Sequence, residues 1–280
     1  MDTSLVIGCA THNNLKYTKL FLESIKLSYP CHIFIVDNGS SDDTYQWLNK
    51  SGYDFRSYKL NMGFGYAYND ALDYAFKLKK VPYLLWCGND IVFRPDSIDY
   101  MIQAMNETDY DMFCGNEVLN KEILTTNEGA LENFKYKFSF DEPQYDKLMY
   151  SAGGMNHSCI IRNKTVFDKV GYYDINFYPA YFEDNDYSMR CRLLNLKFGT
   201  VDSAIFYHFW SRTIHEGGLA QLNSQRFELN RRYYQEKWGG SVDHETHVKP
   251  FNNSDISITD RSYELNILKK HGVFYRSGNE

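Results

Sequence analysis

The chain has 280 residues, with 36 acidic against 30 basic side chains and a net charge of −6. That balance excludes a broadly basic nucleic-acid binder. A composition of 43% hydrophobic and 17% aromatic residues excludes disorder over most of the chain. No apolar stretch reaches the roughly 18 to 20 residues that cross a bilayer. The opening MDTSLVIGCATHNN lacks the charged start and cleavage site of a secretory signal and reads as a first strand. The six cysteines are scattered without a CxxC pair, several inside apolar runs such as VIGCA and LLWCG. Such thiols behave as small buried hydrophobes, which predicts a reduced, cytoplasmic setting.

In chain order, residues 4–10 form an apolar run of strand length, and Leu15 to Leu27 places Leu20, Phe21, Ser24 and Leu27 on one helical face. Residues 32–36 (HIFIV) predict a second buried strand, followed by a helix through Tyr45 to Lys50 and a weaker strand near Phe55 to Leu60. Gly63 and Gly65 break the chain before a helix from about Tyr66 to Lys79. Residues 83–87 (YLLWC) predict another buried strand, Pro95-Asp96 opens a helix through Met105, and Met112 to Cys114 continues the alternation. Alternating strand and helix imply an α/β fold with a mostly parallel sheet. Ligands bind such sheets beyond the carboxyl ends of the strands, which is where the polar runs after Ala10, Val36 and Cys87 fall.

The second half reads differently. Residues 120–150 are polar and aromatic with weak periodicity, predicting an irregular or antiparallel excursion. Ser151-Ala152-Gly153-Gly154 is a small-residue turn before a strand at His157 to Ile161. The cluster Glu183-Asp184-Asn185-Asp186 precedes a helix to about Leu196, then come a strand at Thr200 to Tyr207 and a helix from Leu219 to Trp238. The expected division is a body over 1–240, with halves 1–115 and 116–240, and a loosely attached extension over 241–280. Apolar positions from Ile256 to Phe274 would dock that extension on the body or on a second copy of the chain.

Four clusters carry chemistry. In IFIVDNGSSDDT (33–44), a strand-end carboxylate followed by a tight turn presents Asp37, Asn38 and backbone N–H groups to a ligand. An Asx-turn with a helix cap from Ser41 or Asp42 explains the same residues. In NMGFGYAYN (61–69), close glycines permit a backbone approach to a ligand, or form a plain loop. In YLLWCGNDIVF (83–93), a lone Asp90 between apolar runs is costly without a partner. Mg²⁺ or Mn²⁺ would supply one, and a hairpin turn is the alternative. In YFEDNDYSMR (181–190), crowded like charges favour a raised pKa and a general base, or simply an acidic helix start.

These clusters, in this order and spacing, resemble the family 2 glycosyltransferases with the GT-A fold, and within them the rhamnosyltransferase-like branch. The carriers span about residues 4–210: VDNGSSDDT, NMGFGYAYN, LLWCGND, SAGGMNHSCIIRNKTVFDKVGYYD and FEDNDYSMR. The resemblance implies a mostly parallel sheet flanked by helices with a smaller antiparallel portion. It implies that Thr11, His12 and Asn13 line a nucleotide pocket and that Asp37 accepts from a uracil or thymine imide. Asn61, Gly63 and Asn69 would hold the ribose and diphosphate, and Gly153-Gly154 would lie close to the donor sugar. Asp90 would ligate the metal as the last residue of a motif that reads Gly88-Asn89-Asp90 where the family has Asp-x-Asp, with Asn89 on the nucleotide-sugar side and His208 as a further metal or phosphate ligand. His215 is a weaker substitute for His208, and Trp210 a candidate stacking surface.

The function so implied is inverting transfer of a sugar from a UDP- or dTDP-activated donor to a hydroxyl of a glycan or other acceptor. Asp184 would be the general base, with Glu183 and Asp186 as supporting acids. A lipid-linked acceptor would be met at a membrane surface. A catalytically idle nucleotide-sugar or glycan-binding module on the same fold is the alternative. A nucleotidyltransferase would need a basic glycine-rich loop near the start, where residues 8–16 offer only Lys16.

Overall fold

A computed structural model describes residues 5–118, 145–209 and 218–273. Its first strand, β1 (Leu5–Thr11), lies beside β2 (Cys31–Asp37), and β2 beside β3 (Asp54–Ser57), all parallel. On the other side of β1 runs β4 (Tyr83–Gly88), also parallel. The strands β5 (Ile91–Phe93), β6 (Met112–Val118), β7 (Ser151–Ala152), β8 (Cys159–Asn163) and β9 (Phe198–His208) complete a sheet of order β3-β2-β1-β4-β8-β6-β9-β5, with β7 on β9. Here β8 pairs antiparallel with both β4 and β6, while β6 and β9 run parallel. The predicted parallel half and smaller antiparallel portion are both present.

Two-residue alternation sorts the strands between two core layers. Leu5, Ile7, Cys9, Ile35, Leu85 and Cys87 face one way, onto Phe21 of α1 (Leu15–Ser24) and Ile98, Met101 and Ile102 of α4 (Ser97–Glu107). Val6, Phe34, Val36, Leu84 and Trp86 face the other way, onto Ala67, Tyr68, Ala71 and Leu72 of α3 (Phe64–Leu72). A short α2 (Thr44–Ser51) links β2 to β3. Burial on both faces is why these strands read as continuous apolar runs.

Many aromatics go into a buried stack. Tyr68 lies 4.1 Å from Trp86 and 4.2 Å from Tyr173, which lies 4.1 Å from Tyr187, measured between ring centroids. The guanidinium of Arg162, fully buried on β8, sits 4.9 Å and 4.7 Å from the rings of Tyr68 and Tyr187. Cation–π attraction and hydrogen bonds to the Tyr68 and Tyr173 hydroxyls offset part of the cost of burying this charge.

Several expectations are corrected. The helix expected to Leu27 stops at Ser24, where the backbone turns extended at Ile25. The helix expected over 66–79 is α3 followed by a π-helical segment, Asp73–Lys79. The acidic cluster does not precede its helix but forms the first turn of α6 (Glu183–Leu193), which follows α5 (Lys164–Val170). Nor is the extension loose over its described part. After α7 (Ala220–Trp238), Ile258 bonds to the backbone of Val170 and Tyr172. Arg261 then pairs with Asp70 and Asp73, and α8 (Glu264–Lys270) buries Leu268 against Met62, Ile175 and Tyr178. The excursion expected at 120–150 falls largely outside the described residues, as do Trp210, His215 and Phe274.

Candidate active site

The ends of β1, β2 and β4 open onto a cavity of about 530 Å³ whose far wall is the N-terminus of α6. From the strand side it is lined by Thr11, His12, Asn38, Asn61, Asn89 and Asp90, and from the far side by Glu183 and Asp184, with His208 at the end of β9. Residues 172 positions apart in sequence in the case of Thr11 and Glu183 thus share one hollow. Among its described lining residues there is no Lys or Arg.

On the strand side, side-chain amides shape the backbone. Asn38 accepts from the Met62 N–H at 2.7 Å and donates to the Gly63 carbonyl at 3.1 Å, while Asn61 accepts from the Gly63 N–H at 2.8 Å. Gly63 has φ +88°, and a Cβ there would come within 3.0 Å of the Tyr178 ring, so glycine suits both the conformation and the close approach. His12 Nδ1 lies 2.9 Å from the Asn38 carbonyl. Asn89 donates to Thr11 and Thr18 at 3.2 and 3.1 Å, which turns its amide into the protein.

Asp90 is the carboxylate exposed to the hollow from this side. A Cβ on Gly88 would lie 2.9 Å from Asp90 Oδ1, so the glycine leaves room for the carboxylate. Its Oδ1 is 3.3 Å from His208 Nε2, and Glu117 Oε1 on β6 is 3.2 Å from His208 Nδ1. Burial pulls the His208 pKa down, but the two carboxylates outweigh it and raise it to about 9. The imidazolium places a positive charge at the rim of a cavity otherwise rich in acid.

The far wall is set by backbone geometry. Tyr181 and Phe182 both have positive φ, at 75° and 73°, an unfavourable conformation for aromatic residues that turns the chain sharply into α6. Asn230 of α7 holds this turn by donating to the carbonyls of Tyr178, Ala180 and Tyr181. Glu183 is buried, and burial together with the neighbouring Asp184 charge pushes its carboxyl well above the ordinary range. Asp184 is half-buried and accepts from the Asn185 N–H at 2.8 Å; burial raises its pKa. A raised pKa makes a carboxylate a stronger proton acceptor.

Other expected site residues are placed elsewhere. Asp186 is fully buried and bonded to Arg190, Lys237 and the Trp238 indole at 3.0, 2.7 and 2.9 Å, so it braces α6 against α7 and is not a supporting acid of the cavity. Asn69 is fully buried and bonds both backbone groups of Tyr173 and the Glu264 carboxylate, which leaves it nothing for a ribose or diphosphate. Asn13 spends its carbonyl on the N–H groups of Ser41 and Asp42, holding the turn after β2. Asp37 is buried at the end of β2, accepts from the Ser40 N–H and the Ser57 hydroxyl, and is not among the residues lining this cavity. Gly153 and Gly154 lie outside the lining: Thr200 of β9 occupies the space beside Gly153, and Gly154 accepts from the Cys114 thiol.

Sequence reasoning missed Glu117, His157 and Asn223. His157 lines the cavity and bonds Tyr173 and Ser188, and burial and the Arg162 charge hold its pKa well below that of a free imidazole. Only the folded chain brings these three to the clusters: His157 lies within the quoted SAGGMNHSC stretch without being singled out there, and no quoted motif contains Glu117 or Asn223.

With this geometry, likeness to known proteins becomes informative. The model of the glycosyl transferase family 2 matches residues 6–171, and the chain belongs to that family. It is 23% identical over 229 residues to a galactofuranosyl glycosyltransferase of Leishmania donovani, covering 68% of this chain and 53% of that protein. It is 21% identical over 178 residues to the low-salt glycan biosynthesis hexosyltransferase Agl10 of Haloferax volcanii, covering 62% and 57%. The matches thus span about half the length of these curated relatives. The fold is GT-A: the 1–349 portion of S. aureus TarS solved with UDP-GlcNAc matches with a TM-score of 0.52 at 15% identity, over 86% of this chain and 74% of that one. The same portion of TarS has also been solved with UDP, again with 86% of this chain covered.

Proposed function

We propose that the chain is an inverting glycosyltransferase that moves a hexosyl or deoxyhexosyl group from a UDP- or dTDP-sugar to a hydroxyl of a glycan or other acceptor. The observation that carries this reading is the single cavity that sets Asp90 at the strand ends against Asp184 at the start of α6. The nucleoside diphosphate lies along the strand side, among His12, Asn38 and Asn61. Asp184 takes the proton of the acceptor hydroxyl as that oxygen bonds to the anomeric carbon and the bond to the diphosphate breaks from the opposite face. Burial and the Asp184 charge push the Glu183 carboxyl up, which favours its protonated form beside Asp184.

A divalent ion fits this site in one way. The chain offers no group of three metal-ligating side chains among the described residues. Mg²⁺ and Mn²⁺ sites in phosphate-binding enzymes, however, often rest on one or two carboxylates, with substrate oxygens completing the shell. Asp90 would hold the ion; His208, with both ring nitrogens against carboxylates, is better read as its charge partner than as a ligand. When bound, the ion supplies a Lewis acid for the charge that grows on the leaving diphosphate.

The test is thermal stabilisation by UDP, dTDP and their sugars with and without Mn²⁺, since binding to the native state raises apparent stability. The expected result is stabilisation that grows with Mn²⁺ in the wild type and loses its Mn²⁺ dependence in Asp90→Ala. Identical Mn²⁺ responses in the two proteins contradict the metal assignment.

A further inference from the structure

Asn223 is the fourth residue of α7 and lines the same cavity as Tyr181 and Asp184. It is 3% exposed, yet neither its Oδ1 nor its Nδ2 has a hydrogen-bond partner among the described residues. Two turns further along the same helix, Asn230 shows what a structural amide does here, donating to three carbonyls of the 178–181 turn. An unmet buried amide is destabilising, because it has given up water without gaining a partner. A side chain that leaves both its acceptor and its donors unused, in the wall of the cavity, is accounted for by a ligand that meets them.

The place narrows the ligand. The nucleotide side of the cavity is built from the strand ends, whereas Asn223 comes from α7, the helix whose Asn230 holds the turn leading into the acidic start of α6, where the proposed transfer occurs. The groups expected there are sugar hydroxyls, each of which both donates and accepts. An amide that offers an acceptor and a donor side by side matches a vicinal pair of them. We propose that Asn223 is a specificity-determining residue that reads hydroxyls of the transferred sugar in the nucleotide-sugar donor. This rests on the nucleotide-sugar reading of the cavity given above.

The experiment compares calorimetric affinities of the full chain and Asn223→Ala for UDP, dTDP, UDP-GlcNAc, UDP-glucose, UDP-galactose and dTDP-rhamnose, with melting temperatures of the unliganded proteins. For the sugar nucleotide that the wild type binds best, the variant is expected to lose about tenfold in affinity while its affinity for the parent diphosphate is unchanged. Its unliganded melting temperature should match or exceed the wild type, because an orphaned amide has been removed. Equal losses for diphosphate and sugar nucleotide would place Asn223 on the nucleotide and overturn the proposal. So would unchanged affinity for every sugar nucleotide, or a melting temperature several degrees lower, which would mark a structural amide. A wild type that binds none of the six compounds refutes the nucleotide-sugar reading itself, independently of Asn223.

Discussion

Adjacent acidic residues in this chain have opposite uses, and burial with charge partners decides which. Asp184 faces the cavity and keeps a raised pKa, while Asp186, two positions on, is locked between Arg190, Lys237 and Trp238. Nearby Asp174 shares Lys237; burial alone would raise its carboxyl, but Lys237 and Asn176 hold it down at about 2. Removing one charge from such a buried cluster leaves others uncompensated, at a typical cost of about 3–5 kcal/mol. Asp186→Asn should therefore lower the urea midpoint strongly, whereas Asp184→Asn should leave it near that of the wild type. Equal midpoints for the two variants would show that the Asp186 cluster does not brace the fold. The pattern EDND announced an acidic site and the resemblance put Asp184 first, but neither separated Asp186 from the acids of the cavity. That separation comes from α7, whose Lys237 and Trp238 lie more than 50 residues away.

At the scale of elements, the parallel half of the sheet was legible because strands buried on both faces leave continuous apolar runs, as in HIFIV and YLLWC. The antiparallel insertion of β8 between β4 and β6 was not, since a strand's sequence carries no mark of its neighbour's direction. For α8 the sequence offered apolar docking positions such as Leu268, but not the polar anchors beside them: Arg261 reaches Asp70 and Asp73, and Glu264 reaches Asn69. Glu264 gives that contact a pH dependence. Burial pushes its carboxyl up to about 7 against the pull of Arg261 and Asn69, from an ordinary 4.5. The folded state thus holds the proton more tightly, so this contribution is fully present below 4.5 and is lost as pH rises through about 7. Urea unfolding at pH 5 and pH 8 should show the wild type losing stability relative to Glu264→Gln over that interval. Parallel behaviour of the two proteins would remove Glu264 from the docking account.

Across the whole molecule, the surplus of acid noted in the composition is distributed by use: part is neutralised inside the ionic clusters, and part lines a cavity whose described residues include no Lys or Arg. A diphosphate bound there needs positive charge, which His208 and a divalent ion on Asp90 would provide. No helix among the described residues is long and apolar enough to cross a membrane. The extension beyond Gly240 belongs to the body through Ile258, Arg261 and α8, so ending the chain at 240 should lower its melting temperature and expose the Met62, Ile175 and Tyr178 surface. An extension that only joins two copies would instead leave the melting temperature unchanged and halve the mass in solution. The central claim is sugar transfer with Asp184 as base, and release of nucleoside diphosphate from a bound sugar nucleotide by the wild type and Asp184→Asn tests it most directly. The account predicts measurable release by the wild type and, at unchanged donor affinity, a loss of about 100-fold or more in Asp184→Asn. Release by the variant at the wild-type rate would contradict it.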